Sequence, residues 1–264
     1  MEFNRIIIGD AVEELKKLPE NIAQAIIADP PYYNVLLNED WDTQWSEAED
    51  YLNWSFKWAS ECMRILKDDG LFFCFGQLGK REHIFIHLMS ELCCKFKFHD
   101  LIIWDRVVGY NERRDSFTPA YEMILVLRKS NSPKFYKEEV REPYDEKTIQ
   151  TYLRDKRYKD KEARLKHLLS GKFSTNILRV PSLKGSGNEK CGHPSQKPIE
   201  LIDKLILCST EPDDIILDPF LGSGTTALSA QNLGRKWLGI EINEKYVKIA
   251  EQRLAKHISL FTKS

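Results

Sequence analysis

Two short apolar runs near opposite ends of the chain each stop at an aspartate followed by proline. Ile26-Ile27-Ala28 leads into Asp29-Pro30-Pro31-Tyr32, and Ile215-Ile216-Leu217 leads into Asp218-Pro219-Phe220-Leu221-Gly222-Ser223-Gly224-Thr225. Runs this short, bounded by residues that punctuate the chain, fit buried strands. In an open α/β sheet, ligands bind beyond the carboxyl ends of the strands, so both aspartates stand where a site is expected.

The elements around them support that architecture. Strands are expected at Arg5–Gly9, Ala23–Ala28, Leu71–Phe75, His99–Trp104, Tyr121–Leu127, Asp214–Leu217 and Lys236–Ile240. Helices are expected at Ala11–Leu18, Glu47–Leu66, Gly79–Cys93, Pro198–Cys208, Thr225–Leu233 and Glu244–His257. Strands alternating with amphipathic helices imply a mostly parallel sheet covered on both faces. Periodicity breaks down between Ser130 and Lys190, where prolines recur, Gly185-Ser186-Gly187 reads as a flexible stretch, and one helix is expected around Lys147–Leu169. No internal repeat is present, which argues against a solenoid.

A net charge of −1 over 264 residues hides an asymmetry: residues 133–190 carry 15 Lys and Arg against 9 Asp and Glu. A basic segment inside an acidic body suits polyanion binding, with a solvated charged helix as the plainer alternative. The six cysteines show no metal-ligand spacing, and Cys191 with His193 lacks a second pair, so no metal is expected. There is no signal-peptide pattern, and no apolar run approaches the roughly 20 residues that cross a bilayer. The expected location is the reducing cytoplasm, with no membrane partner.

The segment after Asp218 reads as strand, glycine turn and helix start. Gly222 and Gly224 let the backbone lie against a ligand, and the first N–H groups of the following helix face an anion. Glu241 ends the next strand, where a carboxylate accepts both hydroxyls of a ribose. A phosphate-binding loop is the main competitor, but no Gly-Lys-Ser or Gly-Lys-Thr is present.

Asp218–Leu233 with Glu241 resembles the cofactor motif of S-adenosylmethionine methyltransferases, and Asp29-Pro30-Pro31-Tyr32 resembles the catalytic motif of those that methylate nucleobase amines. The order of catalytic motif, basic segment and cofactor motif is similar to the β class of bacterial DNA amino-methyltransferases. The resemblance covers residues 5–128 and 193–257. It implies a Rossmann-like α/β sheet with helices on both faces and circularly permuted motif order. Residues 1–132 and 191–264 would form the catalytic domain, and 133–190 the inserted target-recognition region.

The same resemblance assigns S-adenosyl-L-methionine to Asp10, Lys197, Phe220, Gly222, Ser223, Gly224, Thr225 and Glu241. Lys197, in His193-Pro194-Ser195-Gln196-Lys197-Pro198, would neighbour the methionine carboxylate, and Asp10 would meet the adenine. By position alone, Asp10 is a helix N-cap, Phe220 a core residue and Lys197 a solvated lysine.

Catalysis would fall to Asp29, Pro30, Pro31 and Tyr32. The lone pair of a nucleobase amine is delocalised into the ring, so the enzyme must hold that nitrogen in line with the methyl group and draw it toward tetrahedral geometry. The Asp29 carboxylate and the Pro30 carbonyl would accept its two N–H bonds. The prolines stiffen the loop, and Tyr32 offers an aromatic face to a base flipped from its duplex. The plainer reading is a proline-rich turn with Asp29 as a cap. Asp at the first position is typical of adenine-N6 enzymes, with cytosine N4 as the alternative target. RNA methylation and a non-catalytic nucleic-acid-binding module that keeps the fold are the other readings.

Double-stranded DNA is the implied partner, and the resemblance leaves open a homodimer and a cognate restriction endonuclease. Tyr33, Trp41 and Trp45 are candidates to stack on DNA or to pack down on the domain. Arg113, Arg114, Arg141, Arg154, Arg157 and Arg179 are candidates for DNA contact.

Overall fold

Residue alternation in Ala25-Ile26-Ile27-Ala28 explains the layering of the protein. Ala25 and Ile27 face one apolar core while Ile26 and Ala28 face another, as the two-residue period of a strand requires. The computed structural model describes residues 1–36, 38–78, 83–109, 112, 114–183, 187 and 189–261. Its strands are β1 (Arg5–Ile8), β2 (Ala23–Ala28), β3 (Leu66–Gly76), β4 (Lys97–Asp105), β5 (Tyr121–Arg128), β6 (Ile177–Arg179), β7 (Ile215–Asp218) and β8 (Lys236–Glu241). The helices are α1 (Ala11–Lys16), α2 (Ala48–Ile65), α3 (Ile84–Lys95), α4 (Glu146–Arg154), α5 (Lys161–Leu169), α6 (Ile199–Ser209), α7 (Thr225–Asn232) and α8 (Glu244–Phe261).

The eight strands form one sheet in the order β1-β8-β7-β2-β3-β5-β4-β6. Pairing is parallel from β1 to β3 and between β4 and β6, and antiparallel where β5 sits between β3 and β4. Side chains of α6, α7 and α8 join the core on one face, and those of α1, α2 and α3 join the core on the other. The mostly parallel, two-faced sheet expected from the sequence is therefore present.

Two central strands place the site. Ala25 pairs with Ile216 and Ile26 with Leu217, so β2 and β7 run side by side and end together. From β7 the chain builds outward to β8, while from β2 it builds the other way to β3. This is the topological switch point, where the crevice of an open α/β sheet lies. Asp29 follows β2 and Asp218 closes β7.

The 133–190 segment differs from expectation in detail. Instead of one helix over Lys147–Leu169 there are two, because Asp160 caps α5 through the N–H of Ala163 and the intervening residues carry too few apolar side chains to continue α4. Both ends of the segment are tied to the sheet domain. The Tyr136 N–H donates to the Cys208 carbonyl, and β6 extends the sheet beside β4. Gly185 and Ser186 lie outside the described residues, as do the first four residues of the helix expected over Gly79–Cys93.

Candidate active site

The glycine turn after β7 is held from three sides. Gly222 (φ 52°) and Gly224 (φ 75°) occupy the left-handed region, and a Cβ on Gly222 would sit 3.1 Å from the His193 ring. Glu241, at the end of β8, accepts from the Gly222 N–H at 2.7 Å through Oε2 and from the Asn243 N–H at 2.8 Å through Oε1. Arg253 on α8 donates to the Thr225 hydroxyl at 2.8 Å and to the Ser223 carbonyl at 3.3 Å. That brace was not read from the sequence; its signal is a cation on the half-buried side of an amphipathic helix.

Asp10 caps α1, accepting from the Glu13 N–H at 3.1 Å, and lines the same cleft as Glu241 and Gly222. Phe220 packs on Trp54 and Trp58, with ring centroids 5.6 and 5.0 Å away, and also borders the cleft. The cleft measures about 1130 Å³, counting the space open to solvent. The Glu241 carboxylate is held by backbone N–H groups and borders the cleft, which suits it to accept from a ligand hydroxyl. Among the cofactor candidates, Asp10, Lys197, Phe220, Gly222, Ser223, Thr225 and Glu241 all line this cleft.

Burial pushes the Asp218 carboxyl up to about 7, with the charges of Asp29 and Glu241 adding to the effect and bonds from Thr226 and the Phe220 N–H opposing it. The unfolded value is about 3.9. The folded protein thus holds this proton more tightly, so stability falls as pH rises from about 4 to 7 and then levels off. Asp218→Asn is expected to match the parent protein near pH 4 and to exceed it at pH 8 by on the order of 2–4 kcal/mol. Denaturant unfolding at the two pH values checks this; an equal difference at both would refute the burial argument.

The loop after β2 is built around two groups that sequence reasoning missed. Asp42, fully buried, accepts from the N–H groups of Tyr32 (2.6 Å), Val35 (2.7 Å) and Leu36 (2.6 Å). Tyr33 (φ 60°) and Asn34 (φ 57°) turn the backbone so that these donors converge on one carboxylate. Tyr51 donates to the Pro31 carbonyl at 2.7 Å. With the Pro31 carbonyl engaged there, the Pro30 carbonyl is the one left as the candidate substrate acceptor.

The aromatic residues of this loop pack down on the domain. Trp45 lies against Tyr51 and Trp54, Tyr33 against Tyr51, and Trp41 against His193. Burial lowers the His193 ring to about 4, so it is neutral where it covers the glycine turn.

Lys197 gives the largest difference from the sequence reading. Its carbonyl accepts from the Thr225 hydroxyl at 3.3 Å, so its backbone does touch the end of the glycine turn. Its ammonium, however, donates to Asp29 Oδ2 at 2.7 Å and to the Tyr32 hydroxyl at 3.1 Å, and lies 3.4 Å from Glu122 Oε2. Burial works against that charge, but Asp29 and Glu122 more than offset it and hold the ammonium above the ordinary lysine value. The Tyr32 hydroxyl is 2.5 Å from Asp29 Oδ1 and 3.0 Å from Glu122 Oε2. Burial, then these two carboxylates, raise the Tyr32 phenol far above its usual value, so it stays neutral.

Tyr32 and Lys197 stand on the wall between the cleft and a second hollow lined by Gln77, Trp104, Arg106, Tyr121 and Glu122. One hollow thus offers hydroxyl acceptors and a glycine turn, and the other offers aromatic faces and polar edges. Asp29 lines the first hollow and bonds Tyr32 and Lys197, which border both. Residues 23–252 match the model of the DNA methylase family. The chain belongs to that family. DNA adenine methyltransferase YhdJ of Escherichia coli strain K12 is 32% identical over 262 residues, covering 98% of this chain and 85% of that one.

Two solved structures share this methylase fold. PvuII DNA methyltransferase, described as cytosine-N4-specific, aligns with a TM-score of 0.71 at 21% identity, over 95% of this chain and 86% of that one. M1.HpyAVI, solved as its SAM complex, aligns with a TM-score of 0.61 at 25% identity, over 95% and 99%.

In the methylase's basic segment, Arg141 is committed to structure: it bonds Glu138 and the Gly171 carbonyl and lies over the Phe173 ring. Arg157 pairs with Asp155 and Arg179 with Asp105, both while largely exposed. Arg114 and Arg154 are exposed, and Arg113 lies outside the described residues. Among the described residues, no helix is long and apolar enough to cross a membrane.

Proposed function

We propose that this methylase transfers a methyl group from S-adenosyl-L-methionine to the N6 amine of adenine in duplex DNA. The observation that carries this reading is Asp29 on the wall of the cleft, bonded to Tyr32 and Lys197, which border both hollows. Glu241, Asp10 and the Gly222–Thr225 turn would hold the cofactor. When bound, S-adenosyl-L-methionine supplies an electrophilic methyl group.

The chain's own residues do the rest. Asp29 accepts an N–H of the target amine with a lone pair not used by Tyr32 or Lys197, and the Pro30 carbonyl accepts the other. Two acceptors on opposite N–H bonds draw the nitrogen lone pair out of the ring plane and hold it for attack. Tyr32 and Trp104 offer faces for the extruded base. Asp at position 29 and the adenine-methylating relative support adenine over cytosine. Within this reading the protein works in the cytoplasm. A second copy of the chain and a cognate endonuclease are further partners, sought by sedimentation and by protection of methylated DNA from cleavage.

The test is incubation with tritiated S-adenosyl-L-methionine and unmethylated duplex DNA, followed by nucleoside analysis. Label is expected in N6-methyladenine. Label in N4-methylcytosine would change the target and keep the chemistry. Cofactor binding with no label in DNA would overturn the reading.

A further inference from the structure

Glu122 is a carboxylate inside an otherwise apolar strand. It is 5% exposed and lies on β5, away from both sequence motifs. Burying a charge there is costly unless every partner is present. Its partners are Gln77 Nε2 at 2.9 Å and Arg106 Nη1 at 3.3 Å on Oε1, and the Tyr32 hydroxyl at 3.0 Å and Lys197 Nζ at 3.4 Å on Oε2. Two carboxylates, Asp29 and Glu122, therefore face two cations, Lys197 and Arg106, around one phenol.

The arrangement has a directional logic. Tyr32 has one hydroxyl proton, and its shorter contact is to Asp29. Lys197 has three protons, enough for Asp29, Tyr32 and Glu122 together. Glu122 is the β5 group that holds the ammonium and the phenol in place. Without it, Lys197 would keep Asp29 as its carboxylate partner.

We propose that Glu122 is a positioning residue for methyl transfer: it anchors Lys197 and Tyr32 from behind so that both hold the Asp29 carboxylate in its reactive orientation. The proposal rests on the methyltransferase reading and adds a residue that neither motif contains. It acts through Lys197 and Tyr32 and need not touch substrate.

The groups facing Lys197 are the carboxylates Asp29, from the end of β2, and Glu122, from β5, and the neutral phenol of Tyr32 from the following loop. Arg106, just after β4, pairs with Glu122, and the neutral His193 ring lies on Lys197's own segment. Removing the Glu122 charge leaves the Lys197 ammonium less supported, so its proton leaves at lower pH.

Glu122→Gln keeps the shape and removes the charge. In single-turnover methylation of unmethylated duplex DNA, the rate is expected to fall on the order of 10²-fold, as for a misplaced reacting group. Cofactor affinity, by calorimetry, should stay within about threefold, because the Glu241 side of the cleft is untouched. The alkaline limb of the rate should move to lower pH. Carbon-13 NMR titration of labelled lysines in the ligand-free protein should show the same shift for Lys197, assigned by the loss of its signal in Lys197→Met.

The double variant Glu122→Gln/Lys197→Met should lose much less than the product of the two single losses, because one of the two groups Glu122 anchors is already gone. Additive losses, or an unmoved Lys197 titration, would overturn the proposal. If Glu122→Gln fails to fold, Glu122→Asp keeps the charge and shortens the reach: it should lower the rate without moving the limb, and a moved limb would count against the proposal. Absence of transfer by the parent protein would instead refute the methyltransferase reading, while the lysine titration would still report on the anchor.

Discussion

Asp29→Ala is expected to lower methyl transfer by at least about 10³-fold while changing cofactor affinity no more than a few-fold. The carboxylate lines the cleft beside the glycine turn and keeps lone pairs that can accept an N–H from a target amine. Such an acceptor matters most in the transition state, where the nitrogen gains positive charge, so its loss falls on the rate of the chemical step. The cofactor contacts proposed for Asp10, Glu241 and the glycine turn come from β8, the β1–α1 junction and the β7–α7 turn, none of which depends on Asp29. The variant also leaves the Lys197 ammonium with Glu122 as its remaining carboxylate partner. Some stability should therefore be lost, on the order of 1–3 kcal/mol. Single-turnover rates, calorimetric cofactor binding and thermal melting separate these effects. Loss of cofactor binding in a folded variant would give Asp29 a cofactor role in place of the catalytic one.

Asp42→Ala should damage both rate and stability. One buried carboxylate satisfies the N–H groups of Tyr32, Val35 and Leu36, and its bonds are charge-assisted. Removing it orphans these donors next to two residues in the left-handed region, Tyr33 and Asn34, which are themselves unfavourable there. The loop should relax and carry Tyr32 away from Asp29. The expected loss is about 2–4 kcal/mol in stability and about 10²-fold or more in transfer rate. Backbone amide exchange at residues 32, 35 and 36 should accelerate in step. A variant that melts like the parent and keeps those amides protected would show that the prolines and the Tyr51 bond hold the loop without Asp42. The two aspartates thus differ in kind: Asp29 is expected to affect chemistry with modest cost to the fold, and Asp42 to affect both.

Much of this is legible in the sequence. Ala23–Ala28, bounded by Asp and Pro, is a strand at the residues expected. The helix expected over Glu47–Leu66 runs from Ala48 to Ile65, one residue shorter at each end, because an 18-residue amphipathic helix repeats its signal over five turns. Shorter or cross-chain features are not legible. β6 has three residues, too few to show a period, and exists only because Ile103, Trp104 and Asp105 pair with it. Glu122 did leave a trace, a single carboxylate in Tyr121–Arg128. A lone Glu in an apolar strand identifies neither its partners nor its purpose.

Lys197 marks the boundary between the two kinds of information. Local chemistry determined that β2 and β7 end at carboxylates, that Gly222 and Gly224 form a turn open to a ligand, and that Glu241 follows one strand later. These depend on residues near one another in the chain. Which groups Lys197 and Glu122 meet was decided by the pairing of β2 with β7 and of β3 with β5, which brings distant residues to one point. A lysine's backbone position is set by its neighbours in sequence. The direction of its long side chain is set by whichever buried carboxylates can neutralise it, and only the folded sheet supplies those.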